Sequence, residues 1–147
     1  MSENDIYLDT SAIAKRYIKE KDSEKVDDIY RNAEMGNSRL YFSSWNLGEA
    51  IGVFDKQRAA VDPKLRLEPF LDECVKYVVS GVLTIIDVSY DLVIKSSELV
   101  LKHHIYMADA LQIATAKNVG AGILVTSDER LAKVARLEGL KVVKLLN

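Results

Sequence analysis

Cysteine is almost missing from this chain. Cys74 is the only one in 147 residues, so no internal disulfide can form. That favours a reducing compartment, and a cytoplasmic setting is the expectation. No apolar run approaches the ~20 residues that span a bilayer, so no membrane insertion is expected. The start, Met1-Ser2-Glu3-Asn4-Asp5, is polar and acidic and lacks the basic and apolar regions of a secretion signal. An excess of one charge is missing too. The 20 basic and 22 acidic residues give a formal net charge of −2, which excludes a global attraction to nucleic acid. Any positive surface that steers phosphate must be local. There is no phosphate-cradling glycine loop, no repeat and no low-complexity tract. No Ser or Cys has the setting of an activated nucleophile. Cys74 lies in an apolar helical stretch beside Leu71, Val75 and Val78 and reads as a packed thiol. His103-His104, at a helix end without a third ligand at metal-site spacing, reads as compensation of the helix dipole.

What is present is an ordinary globular composition, 48% hydrophobic and 29% charged, long enough for one core-forming domain over residues 1–147. Strand and helix signals alternate. Ile6 to Leu8 reads as a strand and Thr10 to Tyr17 as a helix. Asp22-Ser23 can cap a helix from Glu24 to about Met35. Leu40 to Ser43 is a strand, and Ser44 reads as the cap of a helix to about Ala60, buried through Leu47, Ala50, Ile51 and Phe54. Asp62-Pro63 restarts the chain as a helix to about Val79, with a break or offset start at Pro69. Strands at Leu83 to Asp87, Gly122 to Thr126 and Leu140 to Leu146 enclose helices from Ser89 to His103, Met107 to Asn118 and Asp128 to Glu138. The Gly122–Thr126 stretch is apolar throughout and reads as buried on both faces. The pattern predicts a three-layer α/β/α sandwich with a central parallel sheet of about five strands. If the first and fourth strands are neighbours, Asp9 and Asp128 stand where the strand order reverses, the place where open parallel sheets bind ligands.

Four acids have settings that could bring them together. Asp9 follows the first strand; capping the next helix is its simplest role, though Thr10 and Ser11 could do that as well. Glu49 lies inside a helix between Gly48 and Gly52, each about 1 kcal/mol worse than Ala there, which points to a close approach at that surface. A solvent-facing glutamate is the simpler account. Asp109 sits in the apolar helix Met107-Ala108-Asp109-Ala110-Leu111-Gln112-Ile113-Ala114-Thr115-Ala116. First-turn charge against the dipole explains its position but not its apolar surroundings. Asp128 opens a helix after a buried strand and could also be a cap. Four acids meeting within ~4–5 Å would repel by several kcal/mol at an effective dielectric near 20. A hard divalent cation makes such a cluster tolerable, and Mg²⁺ with Mn²⁺ as substitute fits all-oxygen donors. Such an ion activates water and stabilises charge on a phosphoryl group.

The stretches Ile6-Tyr7-Leu8-Asp9-Thr10-Ser11-Ala12-Ile13, Asn46-Leu47-Gly48-Glu49-Ala50, Ala108-Asp109-Ala110-Leu111-Gln112-Ile113-Ala114-Thr115-Ala116 and Val125-Thr126-Ser127-Asp128-Glu129-Arg130-Leu131 resemble the four acidic motifs of the PIN-domain family, in family order and across nearly the whole chain. The chain most resembles the VapC-type toxins of toxin–antitoxin pairs. That resemblance implies an Mg²⁺- or Mn²⁺-dependent endoribonuclease acting on RNA, usually a homodimer, held inactive by an antitoxin protein. It places Asp9 and Asp109 as the most direct metal ligands, with Glu49 and Asp128 as outer acids that complete the catalytic site.

Trp45, Tyr7, Tyr41 and Phe42 read as core or interface aromatics. Lys15, Arg16, Lys56, Arg58, Lys117, Arg130 and Lys133 lie near the acidic motifs; some could steer a phosphate backbone, but each alone reads as solvated surface charge. The rival from another class is a non-catalytic binding module whose acidic pocket captures a basic partner segment, with partner affinity indifferent to metal and chelator. A phosphotransfer receiver domain needs paired acids after its first strand, and Thr10 and Ser11 stand there instead.

Overall fold

The structure is a computed structural model and describes residues 4–147; the expected polar start Met1-Ser2-Glu3 lies outside them. Five parallel strands, β1 (Ile6–Leu8), β2 (Leu40–Ser43), β3 (Leu83–Ile86), β4 (Ile123–Thr126) and β5 (Lys141–Lys144), form one sheet in the order β3-β2-β1-β4-β5. Seven helices connect them: α1 (Thr10–Tyr17), α2 (Ser23–Glu34), α3 (Ser44–Lys56), α4 (Lys64–Val79), α5 (Tyr90–His103), α6 (Met107–Val119) and α7 (Glu129–Leu137). Alternation along the strands separates two cores. Leu8, Phe42 and Val125 face α1 to α4, whereas Tyr7, Tyr41 and Leu124 face α5 to α7. This is the expected three-layer α/β/α sandwich. Among the described residues no helix is long and apolar enough to cross a membrane.

β1 pairs with β4 on one side, Leu8 opposite Val125, and with β2 on the other. The chain first grows outward from β1 through β2 to β3, then returns to the opposite side of β1. The reversal therefore falls between the carboxyl ends of β1 and β4, where Asp9 and Asp128 follow. β4 is buried as its apolar sequence requires, and β5 is an edge strand.

Several local expectations are corrected. Ser43, not Ser44, caps α3, through a capping box with Asn46. The buried face of α3 carries Asn46, Ala50 and Phe54; Ile51 is only partly covered. The helix ends at Lys56 and continues as turns to Ala60. Asp22 does not cap α2: its φ is 63°, and its carboxylate accepts from the Leu146 N–H instead. Pro69 does not break α4, which is continuous from Lys64 to Val79 and lacks only the bond that a Pro69 N–H would make one turn back. The chain restarts as a helix there, but Pro63 holds the N-cap position and not the first turn; Asp62, one residue earlier, accepts from the Lys64 N–H.

Candidate active site

Each of the four acids is placed by a helix start or a helix face at the carboxyl edge of the sheet. Asp9 is the N-cap of α1, and its Oδ1 accepts from the Ala12 N–H at 3.1 Å. The same oxygen accepts from Ser11 Oγ at 2.5 Å, and Oδ2 accepts from Thr126 Oγ1 at 2.6 Å, across the β1–β4 junction. Asp128 is the N-cap of α7; its Oδ1 accepts from the Arg130 and Leu131 N–H groups at 2.8 and 3.0 Å. The capping roles are therefore real for both acids. They coexist with a shared cleft.

That cleft has a volume of about 390 Å³, and Asp9, Glu49, Asp109 and Asp128 all line it. Glu49 is half-buried, and its Oε1 accepts from Thr10 Oγ1 at 2.7 Å. Asp109, in the first turn of α6, has no hydrogen-bond donor on its carboxylate among the described residues. The hydroxyls after Asp9 thus orient carboxylates: Ser11 holds Asp9, and Thr10 holds Glu49.

A polar lattice beneath the acids was not foreseen. Asn46 Oδ1 accepts from the Tyr7 hydroxyl at 2.6 Å and from the Ser43 N–H at 2.8 Å. Its Nδ2 donates to Thr10 Oγ1 at 3.1 Å and to Gln112 Oε1 at 2.7 Å. Asn46 thereby ties β1, α1, α3 and α6 together under the cleft and supports the hydroxyl that holds Glu49. The signal available in the sequence was an amide at helical spacing from Ala50 and Phe54. Gly48 and Gly52 meet nothing: a methyl added to either would contact no other atom, so the close approach expected there does not occur within the chain.

Burial pushes the Asp9 carboxyl up to about 6, against the pull of the Ser11, Thr126 and Ala12 donors, and the charge of Asp128 pushes in the same direction. Asp109 is raised as well, first by burial and then by Asp128 and Glu49, with Arg130 opposing. The acids therefore feel one another. The donor set is all oxygen, without Cys or His, which suits a hard divalent cation. Among the described residues no three acidic, His or Cys side chains close round one point. The acids line the cleft wall, an arrangement that suits an ion retaining several waters.

The other candidates lie elsewhere. His103 contacts Glu138 at 2.7 Å, together with Lys102 and Lys117, and His104 takes a left-handed backbone at the end of α5. Cys74 is buried, and burial pushes its thiol up to about 11. Lys15 and Arg16 are not solvated surface charges. Lys15 is buried with its ammonium on Glu20, and Arg16 bridges Asp27 and Glu73. Tyr7, Tyr41 and Phe42 are core residues, whereas Trp45 is 47% exposed.

Comparison with known proteins identifies the architecture. The fold is shared by several solved structures, these three among them. VapC20 from Mycobacterium tuberculosis, described as a Sarcin-Ricin loop cleaving toxin, aligns at TM-score 0.64 and 16% identity, covering 88% of this chain and 94% of its own. VapBC2 from Rickettsia felis, bound to a DNA fragment from their promoter, gives 0.66 and 22%, covering 95% and 98%. PAE2754 from Pyrobaculum aerophilum gives 0.61 and 18%, covering 95% and 90%. No curated protein matches the sequence. The PIN domain, however, matches residues 6–137, from the first residue of β1 to the last of α7, and spans all four acidic motifs; the chain belongs to the PIN domain family.

Proposed function

We propose that this PIN domain is a divalent-metal-dependent endoribonuclease and the toxin of a type II toxin–antitoxin pair. The observation that carries the reading is the single cleft at the β1–β4 reversal lined by Asp9, Glu49, Asp109 and Asp128, two of them raised by burial and mutual repulsion. The structural likeness to VapC20 and VapBC2 supports the toxin role. Asp9 and Asp109 would hold Mg²⁺ or Mn²⁺, and Glu49 and Asp128 would complete the negative pocket. When bound, the ion supplies charge neutralisation at the phosphoryl group and acidification of water.

The chain's own residues do the rest. Ser11, Thr126 and the Ala12 N–H fix both oxygens of Asp9, and Thr10 fixes Glu49, so the ligand set is pre-oriented. The caps on Asp128 occupy Oδ1 and leave Oδ2 without a donor among the described residues. Water is the nucleophile: it gives up a proton to solvent as it adds to phosphorus, the bond to the leaving ribose oxygen breaks, and that oxygen takes up a proton from solvent. No covalent intermediate with the protein forms.

The structural likeness to VapBC2 supports an antitoxin partner, and a second copy of the chain is proposed with it. The proposed RNA substrate is in keeping with the cytoplasmic setting expected from the single cysteine. The test is cleavage of an RNA panel by purified protein. Activity with Mg²⁺ or Mn²⁺, lost on chelation, is the expected result. Binding of a basic partner segment with no metal-dependent cleavage would replace the nuclease reading with the binding-module one.

A further inference from the structure

A phosphodiester approaching the acidic cleft needs a cation beside it, and several basic side chains that lie near the acidic motifs in sequence are committed elsewhere. Lys15 is held by Glu20, Arg16 by Asp27 and Glu73, Arg58 by Asp55 and Lys117 by Glu138. Arg130, like Lys56 and Lys133, has no ion-pair partner among the described residues, but it alone of the three follows an acid of the cleft by two residues and stands beside an exposed aromatic ring. Its guanidinium lies 5.5 Å from the centroid of the Tyr106 ring. Tyr106 is the N-cap of α6, three residues before Asp109, and is 71% exposed, whereas Tyr7, Tyr30, Tyr41 and Tyr77 are buried. An exposed aromatic ring and a guanidinium without an ion pair therefore stand together at the starts of two helices that each bring an acid to the cleft.

We propose that Tyr106 and Arg130 form a subsite for one unpaired nucleotide next to the scissile phosphate. The base stacks on Tyr106, and the adjoining phosphate pairs with Arg130. This rests on the nuclease reading of the acidic cleft and deepens it, because stacking needs a base that is free of a duplex. A guanidinium can grip phosphate through two N–H groups at once, which an ammonium cannot. Among unpaired RNA segments, purines are then favoured at this position by their larger stacking surface.

The test uses Asp109→Asn protein, so that RNA is bound without being cut. Fluorescein-labelled adenylate and uridylate hexamers, and a duplex of the same length, are titrated by fluorescence anisotropy. The adenylate hexamer is expected to bind more tightly than the other two. Adding Tyr106→Ala should weaken adenylate binding by roughly 5- to 30-fold and remove the purine preference, whereas Tyr106→Phe retains both. Arg130→Gln should weaken both hexamers and reduce the slope of log affinity against log salt by about 0.7, the loss of one phosphate contact on a single strand. Equal affinity of Tyr106→Ala and its parent, or an unchanged salt slope in Arg130→Gln, overturns the subsite while leaving the nuclease reading in place. A parent that binds no RNA of any kind overturns both.

Discussion

The carboxylates of this protein fall into two groups that solve the same electrostatic problem in opposite ways. Glu138 receives Lys102, His103 and Lys117, and these donors hold its carboxyl down at about 2. Glu73 accepts two bonds from Arg16 and one from Tyr17 and is also lowered. Away from the cleft, then, the chain supplies its own counter-charge. In the cleft, Asp9 and Asp109 are raised, and what surrounds them is mainly hydroxyls, backbone N–H groups and further acids. The proposed metal site rests on this contrast: a carboxylate with internal cations stabilises the structure, whereas an acidic cluster with only the charge of Arg130 acting on it is where an added cation is proposed to sit.

The comparison is broken most severely at Asp109. Asp109→Asn should lower metal-dependent RNA cleavage by at least ~100-fold while circular dichroism and thermal unfolding show an intact fold. The support beneath the cleft comes next. Asn46→Ala takes the acceptor from the Ser43 N–H and the donor from Thr10 Oγ1, leaves the Tyr7 hydroxyl and Gln112 with only each other, and should cost about 3 kcal/mol in urea unfolding. At the satisfied group, Glu138→Ala leaves Lys102, His103 and Lys117 without their common partner and should cost about 2 kcal/mol, with cleavage by the folded fraction unchanged. The smallest effect is in pH. The folded-state value of Asp9 lies above its unfolded one, so ionising Asp9 destabilises the metal-free fold as pH rises through about 6. Lowering the pH from 7 to 5 should return about 1 kcal/mol through Asp9, measured as the difference between wild type and Asp9→Asn. Glu138 carries the opposite sign, and its contribution is lost only as pH falls from the ordinary glutamate range toward about 2.

Much of this contrast was legible because it is local. Asp9 and Asp128 each stand at a strand-to-helix joint, and the apolar Ile123–Thr126 strand announced its central position. The unsatisfied group could be read by residue type and placement. The satisfied group could not. Arg16 finds Glu73 57 residues away, and Tyr7 reaches Gln112 across 105, so no window along the chain contains both partners. Asn46 was hidden for another reason: an amide on an otherwise apolar helix face looks like an interruption until its buried partners are seen. Asp22 misled because its side chain is taken by Leu146, from the far end of the chain, instead of by the helix beside it.

The most direct measurement is calorimetric titration of Mn²⁺ into metal-free wild type and Asp109→Asn, at pH 7.5 and again at pH 5.5. The account predicts saturable binding to wild type, at least ~10-fold weaker in the variant and weaker at the lower pH, where protons compete for Asp9. Equal affinity in wild type and Asp109→Asn, or no binding to either, would contradict it.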